Sequence, residues 1–519
     1  MVDKMYPIGV QSFVKLREKN YYYVDKTKLV WKLAHIGGPV FLCRPRRFGK
    51  SLLLSTLHAY FDGRKDLFEG LGICELETEW KKRPVFHFDF NTVGNQSVDD
   101  LKESLNFQLS KMEDEWGIKL SHDYNPQQRL MNLINKASDN GRQRVVILVD
   151  EYDKPLLNTV ENDQLNDQMR DVLKPFYGVL KTMDRDIEFS MLSGIARFGK
   201  VSIFSDLNNL LDISLNPEYN AICGITEDEL HSYFSDPIET LASNYGTDSE
   251  GIQKQLKLTY DGYHFGIPRK CQDIYNPYSL LKCFFNKEIS DYWFESATPS
   301  FLMKRLISRD YEFPHLTEVY ADRDELLCGI TADDSSIGQL YQTGYLTIKD
   351  YNEDEQLFRL GFPNLEVEKG FDTLSLKAYG AMAKSDFDVS RFRKEIMSGQ
   401  PEAFMKRLKA FTADFPYGQV PDLEVHWQNI TYLLFKLLGF YTHTEYKTSD
   451  GRIDAVVMTP RFVYVFEFKM DVSPEKAIAQ INSKDYPLPF SADGRKLFKI
   501  GVEFTSTQRR IKDYIIDES

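Results

Sequence analysis

The sequence predicts an α/β fold: a parallel sheet with helices on both faces, then a helical region, then a second α/β unit towards the C-terminal end. Three stretches carry that expectation. The apolar run 39–42 passes through Cys43-Arg44-Pro45-Arg46-Arg47-Phe48 into Gly49-Lys50-Ser51 and a helical pattern over 50–60, a strand-to-helix turn. Five apolar residues, 145–149, end in Asp150-Glu151, as expected of a buried central strand with a functional carboxyl edge. Residues 451–458 and 462–469 read as an antiparallel pair turned at Thr459-Pro460-Arg461.

Composition narrows the class. At 519 residues the chain is too long for one core, and roughly 150 residues per domain gives three or four units. Hydrophobic residues at 42% and charged residues at 27% describe a globular protein. No apolar run approaches the ~18 residues of a membrane span, and the N-terminal stretch has no signal-peptide core. Cysteines 43, 74, 223, 271, 283 and 328 are scattered without a CxxC pair, so neither a zinc site nor a disulfide framework is indicated, and a reducing cytoplasm is the expected compartment. The net charge is −13, yet residues 391–519 hold 19 Lys/Arg against 17 Asp/Glu, a net of +2, leaving −15 for the first 390. A contact with phosphate backbones is therefore expected at the C-terminal end.

In chain order, residues 7–28 give a short segment, a turn at Asn20, an aromatic strand over 21–24, and Asp25 as N-cap of a helix to Ala34. The helix that opens at Gly49-Lys50-Ser51 starts with outward N–H groups that attract anions. Lys50 adds a point charge for the β and γ phosphates, and the Ser51 hydroxyl a magnesium ligand. Residues 84–90 alternate as a strand, while 98–115 and 127–137 carry helical spacing. At the acidic strand, Asp150 is expected to hold magnesium through water and Glu151 to orient the attacking water. The competing reading is a core strand followed by a charged loop. A third strand, 187–193, brings Ser193 and Arg197 to a carboxyl end from which a γ phosphate is sensed, against the alternative of a solvated loop with a stray arginine.

From 216 to about 313 the pattern is helical, opening in capping fashion at Thr226-Glu227-Asp228-Glu229, with another helix opened by Tyr275-Asn276-Pro277-Tyr278. Residues 335–365 read as helix, Gly344 turn, strand (345–348), acidic turn (350–354) and strand (357–362), a winged-helix outline. Helices at 374–383 and 389–415, the latter broken near Gly399-Gln400-Pro401, lead to a boundary at Pro416-Tyr417-Gly418. A helix over 422–438 then ends at Gly439. Alternation puts Glu467 and Lys469 on one strand face with Asp454 on the adjoining strand. Two carboxylates and the Phe468 carbonyl suit Mg²⁺, and Lys469 is placed to position a nucleophile. A helix over 474–481 carries Gln480, and Lys484, Arg495, Lys496, Lys499, Arg509, Arg510 and Lys512 follow. The competing readings are a surface hairpin whose Glu and Lys pair, and a solvated basic face balanced by acids.

Taken together, PIGVQSFVKLREKNYYYVDKT, RPRRFGKS, LVDEYDKP, SGIARFGKVSIFSDLNNLLDIS and YDGYHFG resemble the bacterial AAA-ATPase-like family. GRIDAVVMTPRFVYVFEFK, followed by Gln480, resembles the PD-(D/E)XK nuclease superfamily domain commonly fused to it. The resemblance implies a P-loop NTPase parallel sheet with a helical lid and a winged-helix-like region, plus a C-terminal α/β PD-(D/E)XK nuclease-like domain, divided at 1–215, 216–312, 313–416 and 417–519. It implies ATP and Mg²⁺ as cofactors, with Arg47, Phe48, Gly49, Lys50, Ser51, Asp150, Ser193 and Arg197 around the nucleotide and Glu151 catalytic. Ser51 and Asp150 are the implied metal residues there. The implied nuclease site is Asp454, Glu467 and Lys469, the two acids binding metal, with Glu424 an accessory acid and Gln480 an accessory helix residue.

One departure stands out: the pattern GxxxxGK[ST] would put glycine at position 44, where the chain has Arg44. Pro45 also removes an N–H from the cradle, and the nearby arginines are expected to compensate electrostatically or to serve a partner. The expected function is a cytoplasmic ATPase coupled to a Mg²⁺-dependent DNA endonuclease, in defence or mobile-element biology, with no membrane partner and a homo-oligomer as the candidate assembly. The alternative is a nucleotide-dependent binding switch whose nuclease fold serves only for docking.

Overall fold

Val145–Asp150 is buried along its whole length, and the first sheet assembles around it. The computed structural model describes residues 4–92, 96–118, 124–139, 143–197, 207, 209–267, 270–296, 306, 316, 319–327, 335–378, 389–413, 436, 441–448, 451–490, 494–506 and 510–518. Two compact units result, one from residues 1–296 and 318–367, the other from 297–317 and 368–519.

In the first unit, β1 (Pro39–Cys43), β2 (Val85–Asp89), β3 (Val145–Asp150), β4 (Ile187–Gly194) and β5 (Leu211–Asp212) form a parallel sheet in the order β2-β3-β4-β1-β5. Both β1 and β3 are wholly buried, as a parallel sheet covered on both faces requires. The order decides the site. Because β4 lies between β1 and β3, the loop after β1 and the acids after β3 meet across Ser193 and Gly194 at the end of β4.

The helices of this part are α1 (Phe13–Glu18), α2 (Thr27–Ala34), α3 (Lys50–Phe61), α4 (Lys65–Phe68), α5 (Val98–Glu115), α6 (Pro126–Asp139), α7 (Lys154–Asn158) and α8 (Asp163–Thr182). The aromatic strand expected at 21–24 is reduced to one bridge between Met5 and Tyr21. Its tyrosines pack as rings instead, Tyr22 stacking on Tyr6 at 5.1 Å. Asp25 accepts from the Thr27 N–H and hydroxyl, but the N-cap position itself falls on Lys26.

Four helices, α9 (Glu227–Tyr233), α10 (Ser235–Tyr245), α11 (Ser249–Tyr260) and α12 (Pro277–Asn286), bury Leu230, Phe234, Leu241, Leu256 and Phe284 together as the helical lid. Thr226 and Glu229 form the expected reciprocal cap, and Asn276 caps α12 ahead of Pro277. The winged-helix-like element combines α13 (Arg323–Leu326) and α14 (Ser336–Thr343) with β6 (Val319–Ala321), β7 (Thr347–Asn352) and β8 (Leu357–Gly361), in the antiparallel order β6-β8-β7. Gly344, at φ +89°, ends α14. The first hairpin strand starts two residues later than expected and runs through the acidic stretch, because Asp350 and Tyr351 pair with Arg359 and Phe358.

After α15 (Leu365–Ala378), the second unit has α16 (Val389–Met397) and α17 (Pro401–Ala413), followed by β9 (Tyr441–Thr448), β10 (Gly451–Met458), β11 (Phe462–Met470), α18 (Pro474–Ser483), β12 (Lys496–Thr505) and β13 (Arg510–Glu518). Its sheet is mixed, in the order β13-β12-β11-β10-β9, with only the β11–β12 pairing parallel. The parallel pair needs a crossover, and α18 supplies it. Ile481 of that helix packs in one cluster with Ile453, Val456, Val463, Val465 and Tyr486. The helix expected over 422–438, including Glu424, lies outside the described residues apart from Lys436, which is helical. Among the described residues, no helix is long and apolar enough to cross a membrane.

Candidate functional site

The turn between β1 and α3 is built by two residues with positive φ. Arg47 (φ +68°) and Gly49 (φ +93°) flank Phe48, and Gly49 caps α3 with no side chain over its N–H groups. A cavity of about 470 Å³ opens there, within the range of small-molecule sites. Arg46, Arg47, Lys50 and Ser51 line one part of it, Glu151 another, and Tyr278 from α12 a third.

Lys50 is nearly buried and donates to the carbonyls of Arg44 (3.0 Å) and Pro45 (3.1 Å). Glu151 has left-handed backbone geometry, φ +53°, which aims its carboxylate out of the strand line. Among the described residues, neither Ser51 nor Glu151 has a hydrogen-bond or ion-pair partner for its side chain, so both are available to a ligand. Asp150, buried at the end of β3, accepts from the Ser193 hydroxyl at 2.8 Å and from the Glu151 N–H at 3.0 Å.

Arg44 neither compensates for the missing glycine nor reaches a partner. It is 1% exposed and donates to the carbonyls of Cys43, Ser214 and Tyr219 at 2.8, 2.8 and 3.0 Å, with its guanidinium 4.1 Å from the Phe265 ring centroid. The long side chain is a strut between the loop and the segment after β5. Pro45 packs on the winged-helix-like element, so close that a Cβ on Gly344 would lie 2.7 Å from the Pro45 Cβ.

Two further residues stand apart from the cavity. The Phe48 ring is buried edge-on against Tyr263 and Phe265. Arg197 pairs with Asp212 at 3.3 Å and lines a separate small cavity beside Arg44 and Gln342.

On the second sheet, Asp454 lies one residue beyond the last β10–β11 pair, Ala455 with Phe466, and its Oδ2 accepts from the Phe468 N–H at 2.8 Å. Glu467 is 1% exposed. Its Oε1 accepts from Lys469 Nζ at 2.8 Å and from the Gln480 amide, while its buried Oε2 has no partner among the described residues. Burial first, and Asp454 second, push the Glu467 carboxyl up to about 7 against the pull of Lys469. Gly501 is the register partner of Glu467 on β12, and a Cβ there would sit 2.5 Å from the Pro474 carbonyl oxygen. Its bareness lets α18 lie close enough for Gln480 to reach Glu467. An orphaned carboxylate oxygen beside a second carboxylate fits a hard cation, since Mg²⁺ is commonly held by one or two carboxylates with the rest of its shell left to water or phosphate. Among the described residues, no group of three or more His, Cys, Asp and Glu could hold a metal.

A family model described as a predicted AAA-ATPase matches residues 7–204, which hold β1 to β4 and the phosphate-type loop. An "Uncharacterized protein in vnfD 5'region" of Azotobacter chroococcum mcd 1 is 34% identical over 530 residues, covering 100% of this chain and 99% of that protein. The chain belongs to the predicted AAA-ATPase family. A second model, the PD-(D/E)XK nuclease superfamily, matches residues 422–514 of this predicted AAA-ATPase. Among solved structures, the Aeropyrum pernix ORC2 protein (11% identity, 69% of this chain and 94% of that one) gives a TM-score of 0.30. The Pyrobaculum aerophilum CDC6P structure (10% identity, 68% and 92%) gives 0.21.

Three residues of the predicted AAA-ATPase escaped the sequence reading. Asn91 and Lys154 line the main cavity. Asn91 follows the carboxyl end of β2, so the edge rule that singled out Asp150 would have found it. Asp153 is fully buried and its Oδ2 accepts from the N–H groups of Ile195 and Ala196 at 2.8 and 2.7 Å, bracing the turn after β3 against the turn after β4. Burial, with Glu151 next, raises it to about 7. No pattern in the sequence marks that brace.

Proposed function

We propose that the protein hydrolyses ATP in its N-terminal part and that this cycle gates a Mg²⁺-dependent DNA endonuclease in its C-terminal part. One observation carries the reading: one cavity at the carboxyl edge of a parallel sheet gathers Lys50, Ser51 and Glu151, the last two without a side-chain partner among the described residues. Lys50 exchanges its two loop carbonyls for phosphate oxygens when nucleotide enters. Glu151 orients the attacking water and takes its proton, and Ser193 reports on the site through Asp150. Ser51 and Asp150 would hold the nucleotide's magnesium.

In the second unit, Asp454 and Glu467 would hold a divalent cation, whose charge neutralises a phosphodiester oxygen. Lys469 orients the attacking water, and Gln480 fixes the plane of the Glu467 carboxylate so that Oε2 stays presented. The domain division that goes with this reading is 1–215, 216–312, 313–416 and 417–519.

Lys50→Ala and Lys469→Ala, each assayed for ATP turnover and for nicking of DNA with Mg²⁺, test the reading. The first is expected to abolish ATP turnover, and the second to abolish cleavage while turnover continues. If the purified protein neither hydrolyses ATP nor nicks DNA, and Lys469→Ala changes nothing, the enzyme reading fails and a binding switch takes its place.

A further inference from the structure

Hydrolysis of a nucleoside triphosphate needs positive charge at the terminal phosphate beyond the loop lysine, and many such enzymes take it from an arginine, of their own chain or of a neighbour. The loop here contains three arginines, and they are in three different situations. Arg44 is consumed as a buried strut. Arg46 lines the cavity with its charge near Tyr345. Arg47 lines the same cavity, and its guanidinium lies 3.6 Å from the ring centroid of Tyr278, at the start of α12. Among the described residues, Arg47 has no hydrogen-bond or ion-pair partner.

The backbone holds Arg47 in that place. A non-glycine residue at φ +68° is strained and persists only where its surroundings enforce it. Here the loop is pinned on one side by Arg44 and on the other by the Phe48 ring between Tyr263 and Phe265. Stacking on a ring face uses the flat of the guanidinium and leaves its five N–H donors in the plane, free to fork onto phosphate oxygens.

We propose that Arg47 supplies the second positive charge at the terminal phosphate from within its own chain, held in position by Tyr278 of the lid. The proposal rests on the ATPase reading above. In the step it serves, the oxygen of water bonds to the γ phosphorus, the bond from that phosphorus to the β–γ bridging oxygen breaks, and its electron pair stays on ADP. The water's proton passes through Glu151 to solvent, and Arg47 offsets charge growing on the departing oxygen and the transferred group. Loop and lid are thereby joined at the reacting phosphate, and no neighbouring subunit is required.

The test is steady-state ATP turnover, nucleotide binding and thermal melting for wild type, Arg47→Ala, Arg47→Lys, Tyr278→Phe and Tyr278→Ala, with wild type assayed across about a hundredfold range of protein concentration. Arg47→Ala should lower kcat by about 10³-fold while nucleotide Kd moves by less than about tenfold. Arg47→Lys should stay impaired, because an ammonium neither stacks flat nor forks. Tyr278→Ala should lose about tenfold in kcat, and Tyr278→Phe, which keeps the ring face, should recover most of that loss, while both Arg47 variants melt as wild type does. Specific activity should be flat with concentration. Turnover by Arg47→Ala within about tenfold of wild type, or specific activity rising with protein concentration, overturns the proposal. A wild-type protein that binds no ATP overturns the ATPase reading itself.

Discussion

The Ser193 hydroxyl donates a 2.8 Å hydrogen bond to Asp150 Oδ1, across two strands that are neighbours in the sheet though 43 residues apart in sequence. Whatever binds at Asp150 therefore acts on the end of β4 as well. Ser193→Ala leaves the buried carboxylate one donor short, so ATP turnover should fall by about 10–100-fold with nucleotide affinity nearly unchanged. Paired kcat and Kd measurements check it, and an equal loss in both would place Ser193 in uniform binding instead.

Arg44→Gly restores the general glycine pattern on paper. It also takes the guanidinium donor from the buried carbonyl of Ser214, leaves that of Tyr219 with the Ile222 N–H at 3.2 Å, and opens a void against Phe265. The expected outcome is destabilisation by about 3 kcal/mol or more, read by thermal or denaturant unfolding, with no gain in ATP affinity.

Gly501 sets the distance between α18 and the second sheet. Gly501→Ala puts a methyl 2.5 Å from the Pro474 carbonyl oxygen and 3.0 Å from the Ala477 Cβ, an overpacking that costs about 1–3 kcal/mol. It should also weaken nuclease activity by moving Gln480 off Glu467. Gln480→Ala should lower activity without the loss of stability, and comparing the two variants separates spacing from hydrogen bonding.

His264 joins β7 to the lid: its backbone N–H donates to the Thr347 hydroxyl, and its ring lies between Asp273 (Nδ1 to Oδ1, 2.6 Å) and the Cys271 carbonyl (3.0 Å from Nε2). Burial alone would lower its pKa and Lys349 opposes the charge, but the Asp273 bond and charge outweigh both and raise it. Asp273 is lowered, first by the same bond. A raised histidine contributes stability that is full below its ordinary value and lost as pH climbs through the raised one. The lowered aspartate's contribution is lost only when pH falls through its own folded pKa. Wild type should therefore exceed His264→Gln in melting temperature most at about pH 5–6, with the gap narrowing by pH 9. A gap that does not change with pH contradicts this.

The parts of the fold legible in the sequence were those written in local pattern. β3 showed as an apolar run with acids at its end, the Thr226 cap as a reciprocal pair, the β10–β11 hairpin as alternation around Thr459-Pro460-Arg461. Glu467, Lys469 and Gln480 came together because strand period and one crossover helix suffice to place them. The strut role of Arg44 is not legible because its partners lie far along the chain, and that of Asp153 because its partners are backbone N–H groups with no signature of their own. The strand at 21–24 failed for a related reason: aromatic β-propensity was satisfied by ring stacking instead of a ladder.

Arg44 ties the loop to carbonyls 170 and 175 residues further along. At ~5–20 residues per second of synthesis, the loop waits roughly 10–35 s between its own emergence and that of the segment that fastens it. During that interval β1 and α3 exist without their strut, and the arginine has the adjacent Cys43 carbonyl and water for its N–H groups. A nascent chain that stalls before Tyr219 thus carries the GKS motif without this tie to hold it in shape, so the loop takes its final form late in translation, at the threshold of the lid.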